Sequence, residues 1–357
     1  MSSDRSLVVE VPALGDLVDL LRSHGYAVVG PVLRDGVVVL DEIVTYDESL
    51  VGVGAETAPG SYRVVEVPGS LFGGSVGPDS SKRWMSPPDR IAWTARKTDD
   101  GVELEHPSAP TRRAYFGIRP CDVAARKILG RFWPSHPDDV LIVTECTTPA
   151  DTCFCSSMGT GPAAGDDSDI VLTELGDGRL LVRSGTDRGA VLLAKVHGNA
   201  AVAADVTLAH QRVESAAATM TRRVDPETAR QALAASAESP IWDDIAQRCL
   251  ACSNCTMVCP TCFCVTISDT SDLAGDVQRR VRWDSCFTPG FSEVHGGPHR
   301  SSTASRYRQW ATHKFSTWWE QFGTAGCVGC GRCITWCPVG IDITAEVGRI
   351  VKEATHA

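Results

Sequence analysis

The chain has 357 residues, fifteen of them cysteine, and a formal net charge of −10 at pH 7. That length can bury a core in two domains, or in one large and one small. The acidic balance leaves nucleic-acid binding without an electrostatic footprint, and no run of about twenty apolar residues offers a membrane span.

The first residues, MSSDRSLVVEVPALGDL, lack the charged-then-apolar layout of a signal peptide, so a cytoplasmic location is expected. In that compartment closely spaced cysteines mean metal or redox chemistry rather than disulfides. The N-terminal half reads as α/β. Short β-rich runs recur, SLVVEV, YAVVGPVL, GVVVLDEIV, YRVVEV, RAYFGI, DVLIVTE, DIVLTEL and RLLVRS, punctuated by Gly, Pro and Asp. RAYFGI is followed by a helical pattern at 122–133 and then by DVLIVTE. A strand–helix–strand unit predicts parallel strands. Cys121 and Cys146, each just beyond one of these strands, should then share the carboxyl edge of the sheet, where α/β proteins build sites.

The middle is Ala-rich and helical from about Asp205. Asp225 before Pro226, and Ser239 before Pro240, mark two helix starts, the second helix running into Cys249. The expected organisation is an α/β domain over 1–200, a helical connector over 201–245, and a helical two-[4Fe–4S] ferredoxin domain over 246–357.

Two cysteine loops define that last domain. CLACSNCTMVCP contains Cys249, Cys252, Cys255 and Cys259; CVGCGRCITWCP contains Cys327, Cys330, Cys333 and Cys337. Both match C-x2-C-x2-C-x3-C-P, in which the fourth cysteine ligates the other cluster. One cluster is expected on Cys249, Cys252, Cys255 and Cys337, the other on Cys327, Cys330, Cys333 and Cys259. The competing reading, two zinc sites, would use separated CxxC pairs. The segment between the loops contains RYRQWATHKFSTWWEQFG, which reads as a helix.

The tetrapeptide TCFC occurs twice, at 152–155 and 261–264. Cys121, Cys146, Cys153 and Cys155 are the only cysteines before Cys249, and four is the number a cubane needs. The favoured expectation is a third [4Fe–4S] cluster; a zinc site and buried apolar thiols are the alternatives. The second copy leaves Cys262, Cys264 and Cys286 spare, one short of a full thiolate set, and these are expected to pack around the clusters.

YFGIRPCDVAA, TECTTPADTCFCSSMGTGP, CLACSNCTMVCPTCFC, RWDSCF, HGGPHRSS, RYRQWATHKF and GCVGCGRCITWCPVGID together resemble the iron–sulfur β subunit of cytoplasmic NAD(P)-linked [NiFe] hydrogenases, the sulfhydrogenases. The same pattern marks the iron–sulfur subunit of anaerobic sulfite reductase. The resemblance covers about residues 113–345. It implies an electron-transfer subunit placed between an FAD/NAD(P)-binding partner and a catalytic hydrogenase or sulfite reductase partner; no nucleotide fingerprint, nucleophile or acid–base set stands out in the sequence, so no catalytic residues are expected. It also implies two [4Fe–4S] clusters on the eight ferredoxin cysteines. A zinc-stabilised interaction module and a self-contained oxidoreductase are the readings from other classes.

GTGPAAG at 159–165 is one residue off a dinucleotide fingerprint, but it follows a cysteine loop rather than a strand and reads as a turn. His295, His299 and His313 lie among Arg279, Arg280, Arg282, Arg300, Arg306 and Arg308. This local basic face is expected to neutralise the anionic clusters, with partner docking as the alternative.

Overall fold

The computed structural model describes residues 6–45, 52–73, 77–107 and 111–356. Each of the eight β-rich runs carries a strand. Seven of them, with the short strand Asn199–Ala200, form one mixed sheet. Its order is Asn199–Ala200, Ser6–Glu10, Arg179–Ser184, Ile170–Glu174, Val140–Thr144, Arg113–Ile118, Ala27–Arg34, Val37–Glu42. Arg113–Ile118 and Val140–Thr144 pair parallel, as the strand–helix–strand pattern requires, with Ala114 opposite Val140 and Phe116 opposite Ile142. These central strands read as near-continuous apolar runs because both faces are covered. On one face Leu14, Leu17, Val18 and Leu21 of the helix Pro12–Ser23 join Leu192 and Leu193 over the sheet. On the other, Tyr115, Ile118 and Val143 pack with Val123 and Trp84.

The helices from Ala203 onward enclose a second core of Leu233, Trp242, Ile245, Tyr307, Trp310, Phe315, Ile343 and Val347. Asp225 caps the helix Pro226–Ala235, its side chain accepting from the Thr228 N–H. The long helix expected between the cysteine loops runs from Thr303 to Phe322, with a π-helical turn at His313–Thr317. Such turns displace the ladder by one residue and often mark functional sites; this one carries the buried Lys314.

The all-helical reading of the C-terminal domain needs correction. Val265–Ser271 and Val277–Trp283 form a β-hairpin between the loops. It continues into Asp89–Thr98 and Gly101–Glu105 of the N-terminal half as one four-stranded sheet. Neither half of that sheet shows in the sequence as a clean apolar alternation, because its strands are largely half-buried or exposed. A further N-terminal hairpin, Val53–Ala58 with Ser61–Glu66, rests its tip on the second cysteine loop. The Gly60 N–H donates to the Ile334 carbonyl at 3.0 Å, and Tyr62 stacks on Trp336 at 5.1 Å.

Candidate iron–sulfur centres

The two ferredoxin loops have the same backbone. The third and fifth positions of each, Ala251 and Ser253 in the first, Gly329 and Gly331 in the second, are left-handed, with φ of 51°, 69°, 64° and 73°. This turns the loop so that its first three cysteines face inward. A short helix then follows, Asn254–Met257 or Arg332–Thr335, which carries the chain to the fourth cysteine. Backbone amides turn toward the sulfurs: Ala251 N–H lies 3.4 Å from Cys249 Sγ, Gly329 N–H 3.4 Å from Cys327 Sγ, and Ile341 N–H 3.3 Å from Cys337 Sγ.

Cys249, Cys252 and Cys255 line one cavity together with Cys337, walled by Phe287, Tyr307 and Ile341. A second cavity brings Cys327, Cys330 and Cys333 together with Cys259, walled by Phe154, Phe315 and Val328. Each fourth cysteine thus sits in the cavity of the other loop. Trp310, Cys333 and Ile343 line both cavities and form the partition between them. The first site reaches the surface, where Cys252 and Leu250 are exposed.

The N-terminal four also gather. Cys146 follows the Val140–Thr144 strand, and Cys121 lies in the first turn of the helix Pro120–Leu129, after its partner strand. The loop beyond Cys146 folds Cys153 and Cys155 back, so that Cys121, Cys153 and Cys155 share one buried cluster with Cys330 against it. Cys146 interacts electrostatically with Cys153 and Cys155. Cys153 Sγ lies 3.8 Å from the Cys330 carbonyl, and the Phe154 N–H donates to the Gly329 carbonyl at 2.8 Å. A Cβ at Gly329 would stand 2.7 Å from the Cys155 backbone, and one at Gly331 2.3 Å from the Thr152 carbonyl oxygen. Glycine at these positions lets the second ferredoxin loop and the first TCFC touch backbone to backbone.

Burial pushes these thiols up: Cys153 and Cys327 to about 12, and Cys121, Cys146, Cys155, Cys249, Cys255, Cys330 and Cys333 in the same direction. Thiols held this way ionise when a metal group takes the place of the proton. Among the described residues no three His, Cys, Asp or Glu side chains converge on a single-ion site. Thiols spread around a cavity suit a polynuclear cluster, whose ligands sit on separate irons, better than one tetrahedral zinc.

The cations that face the sulfurs are ones that sequence reasoning missed. Lys314, 3% exposed, donates to Cys259 Sγ at 3.0 Å, Thr261 Oγ1 at 3.2 Å and the Gly326 carbonyl at 3.2 Å. Burial opposes its charge, but Cys259, Cys262 and Cys327 hold its pKa well above the usual lysine value. Burial likewise works against the Cys259 thiolate, and a hydrogen bond with Cys262 and the Lys314 charge bring its pKa well below the usual thiol value. Arg332, inside the second loop, makes a fully buried ion pair with Asp122, next to Cys121, at 2.9 Å. The signals available were a lysine amid an aromatic helix face and an arginine between two cysteines. Some of the expected basic face is instead matched by surface carboxylates, Arg279 by Asp269 and Arg280 and Arg282 by Asp89. The charge of the buried Arg306 reaches the first ferredoxin cavity at Cys249.

The two copies of TCFC differ in surroundings. Phe154 lines the second cavity. Phe263 stacks on Phe132 at 4.3 Å and meets Trp318 edge-on, joining the two halves of the chain.

Paired cysteine loops, each with its fourth cysteine in the cavity of the other, mark a dicluster iron–sulfur protein, and residues 248–341 match the 4Fe-4S dicluster domain family. More particularly, the chain belongs to the sulfhydrogenase β-subunit family. It is 35% identical over 244 residues to Sulfhydrogenase 2 subunit beta of Pyrococcus furiosus, an alignment covering 64% of this chain and 70% of that relative. It is therefore an iron–sulfur subunit for electron transfer. No helix among the described residues is long and apolar enough to cross a membrane.

Proposed function

We propose that the chain relays electrons between an FAD/NAD(P)-binding partner and the catalytic subunit of a [NiFe] hydrogenase, through three [4Fe–4S] clusters in series. The first cluster takes Cys249, Cys252, Cys255 and Cys337, the second Cys327, Cys330, Cys333 and Cys259, the third Cys121, Cys146, Cys153 and Cys155. The observation that carries the reading is the contiguity of the three thiol sets. The first two share a wall, and the second touches the third through Cys330 and Gly329. A one-electron cubane at each set supplies the redox change. The protein contributes thiolate ligands, backbone N–H groups toward sulfur, and buried cations that favour the reduced, more negative state. The exposed rim at Cys252 and Leu250 supports electron entry or exit at the first cluster.

A relay turns over no substrate alone. The anaerobically purified chain should show no hydrogen, sulfite or NAD(P)H turnover, yet be reduced and reoxidised by its partners. Substantial turnover by the chain alone overturns the proposal. Co-purification from the native source with a sirohaem protein, rather than a nickel-binding large subunit, moves it to a sulfite reductase.

A further inference from the structure

Three cysteines remain outside these sets: Cys262, Cys264 and Cys286. The fold brings them to the base of one hairpin. Val265 pairs with Trp283 at the end of the antiparallel ladder, and the next rung follows, the Asp284 N–H donating to the Cys264 carbonyl at 2.9 Å. The thiols of Cys264 and Cys286 meet there. Cys262, two residues earlier, lies against Cys259. All three are half-buried.

Two buried amines close on the same place from different regions of the chain. Lys314 comes from the π-turn. Lys82, also 3% exposed, comes from the helical turn Lys82–Met85 of the N-terminal half. Its Nζ donates to the Met257 carbonyl at 3.2 Å and sits 3.8 Å from the centre of the Trp283 ring. Burial lowers its pKa, while Cys262, Cys259 and Cys264 work the other way. Among the described residues no carboxylate pairs with either lysine. An ammonium carries three donors, and burying one without an anion costs several kcal/mol. Lys314 already has Cys259 of the second set beside it; for Lys82, neutral thiols packed as small apolar groups leave that cost standing. An anionic group held by the thiols removes it.

We propose that Cys262, Cys264 and Cys286 hold a fourth iron–sulfur centre on three thiolates, with the ammonium group of Lys82 as its counter-charge and Lys314 shared with the second set. Three thiolates complete the ligation of a three-iron cluster, or leave one iron of a cubane to a ligand other than thiolate. The second TCFC then parallels the first, where both cysteines of the CxC also join thiols from neighbouring elements.

The test compares the anaerobically reconstituted full chain with its Cys262→Ser/Cys264→Ser/Cys286→Ser variant. The variant should lose about three or four irons per chain with the matching sulfide, and one paramagnetic signal, while the other signals persist. Because the readout is a difference, it does not depend on how many other sets are loaded or on whether the relay reading holds. Equal iron and equal spectra overturn the proposal. Native mass spectrometry gives a second reading on a chain that keeps these three cysteines. Its mass should include one iron–sulfur unit beyond those removed by serine substitution in the other three sets. A Cys264–Cys286 disulfide, or three alkylatable thiols in a chain whose other sets are loaded, overturns it equally.

Discussion

At the scale of single residues, the proposed exchange of fourth ligands makes a sharp expectation. Cys259 follows the first loop in sequence but lies in the cavity of the second, and Cys337 does the reverse. Cys259→Ser should therefore damage the cluster of the later loop, and Cys337→Ser that of the earlier one. Electron paramagnetic resonance of the reduced variants separates the two cases; damage confined to each residue's own loop would refute the crossing. The titration behaviour of the thiols gives a second expectation. Cys153 and Cys327 are held protonated up to about 12 by burial, so at any lower pH cluster assembly must displace their protons. Raising the pH lowers the cost of that displacement. Reconstitution from iron and sulfide should thus go further at about pH 8.5 than at about pH 6.5, followed by absorbance of the sulfide-to-iron bands; the opposite trend would contradict protonated sites.

At the scale of elements, the two ferredoxin loops repeat one backbone under different constraints. Gly329 has φ 64° and no room for a methyl group against Cys155. Gly329→Ala should separate the loop from the first TCFC, lowering iron content at the N-terminal set and stability by at least about 1–2 kcal/mol. Ala251 holds the equivalent left-handed position, φ 51°, in the first loop. There Ala251→Gly should stabilise the loop by up to about 1 kcal/mol through relief of that strain, measured as slower loss of the first cluster under chelator. Fixed Cys spacing made both loops legible in the sequence, since a cubane needs four thiolates on a short, tightly turned chain. The gathering of Cys121 and Cys146 was legible too, because a crossover between adjacent strands has few alternatives. The Val265–Trp283 hairpin was not. VTISDTS has no buried face of its own, and its partner Asp89–Thr98 is supplied from far away in the chain. Lys314 and Arg332 were hidden for a related reason: what makes them special is the sulfur and carboxylate they meet, not the residues beside them in sequence.

At the scale of the whole molecule, the N-terminal sheet positions one thiol set, the helical domain positions the two ferredoxin sets, and Arg332–Asp122 ties them across the join. Two ferredoxin cubanes carry about eight irons and a third raises this to about twelve. Replacing Cys153 and Cys155 by serine should accordingly remove about four irons; an unchanged count, with four unmodified thiols at the N-terminal set of the loaded parent chain, would leave the first TCFC a structural loop. The backbone contact at Gly329 and Gly331 also bears on repair. A centre whose loop is open to solvent, as at Cys252, can lose iron to oxygen and be refilled in place. The second and third sets, loaded as proposed, would have no such freedom. Each loop is the other's wall, so on the proposed loading oxidative loss at one should unseat its neighbour, and restoring either should mean rebuilding both.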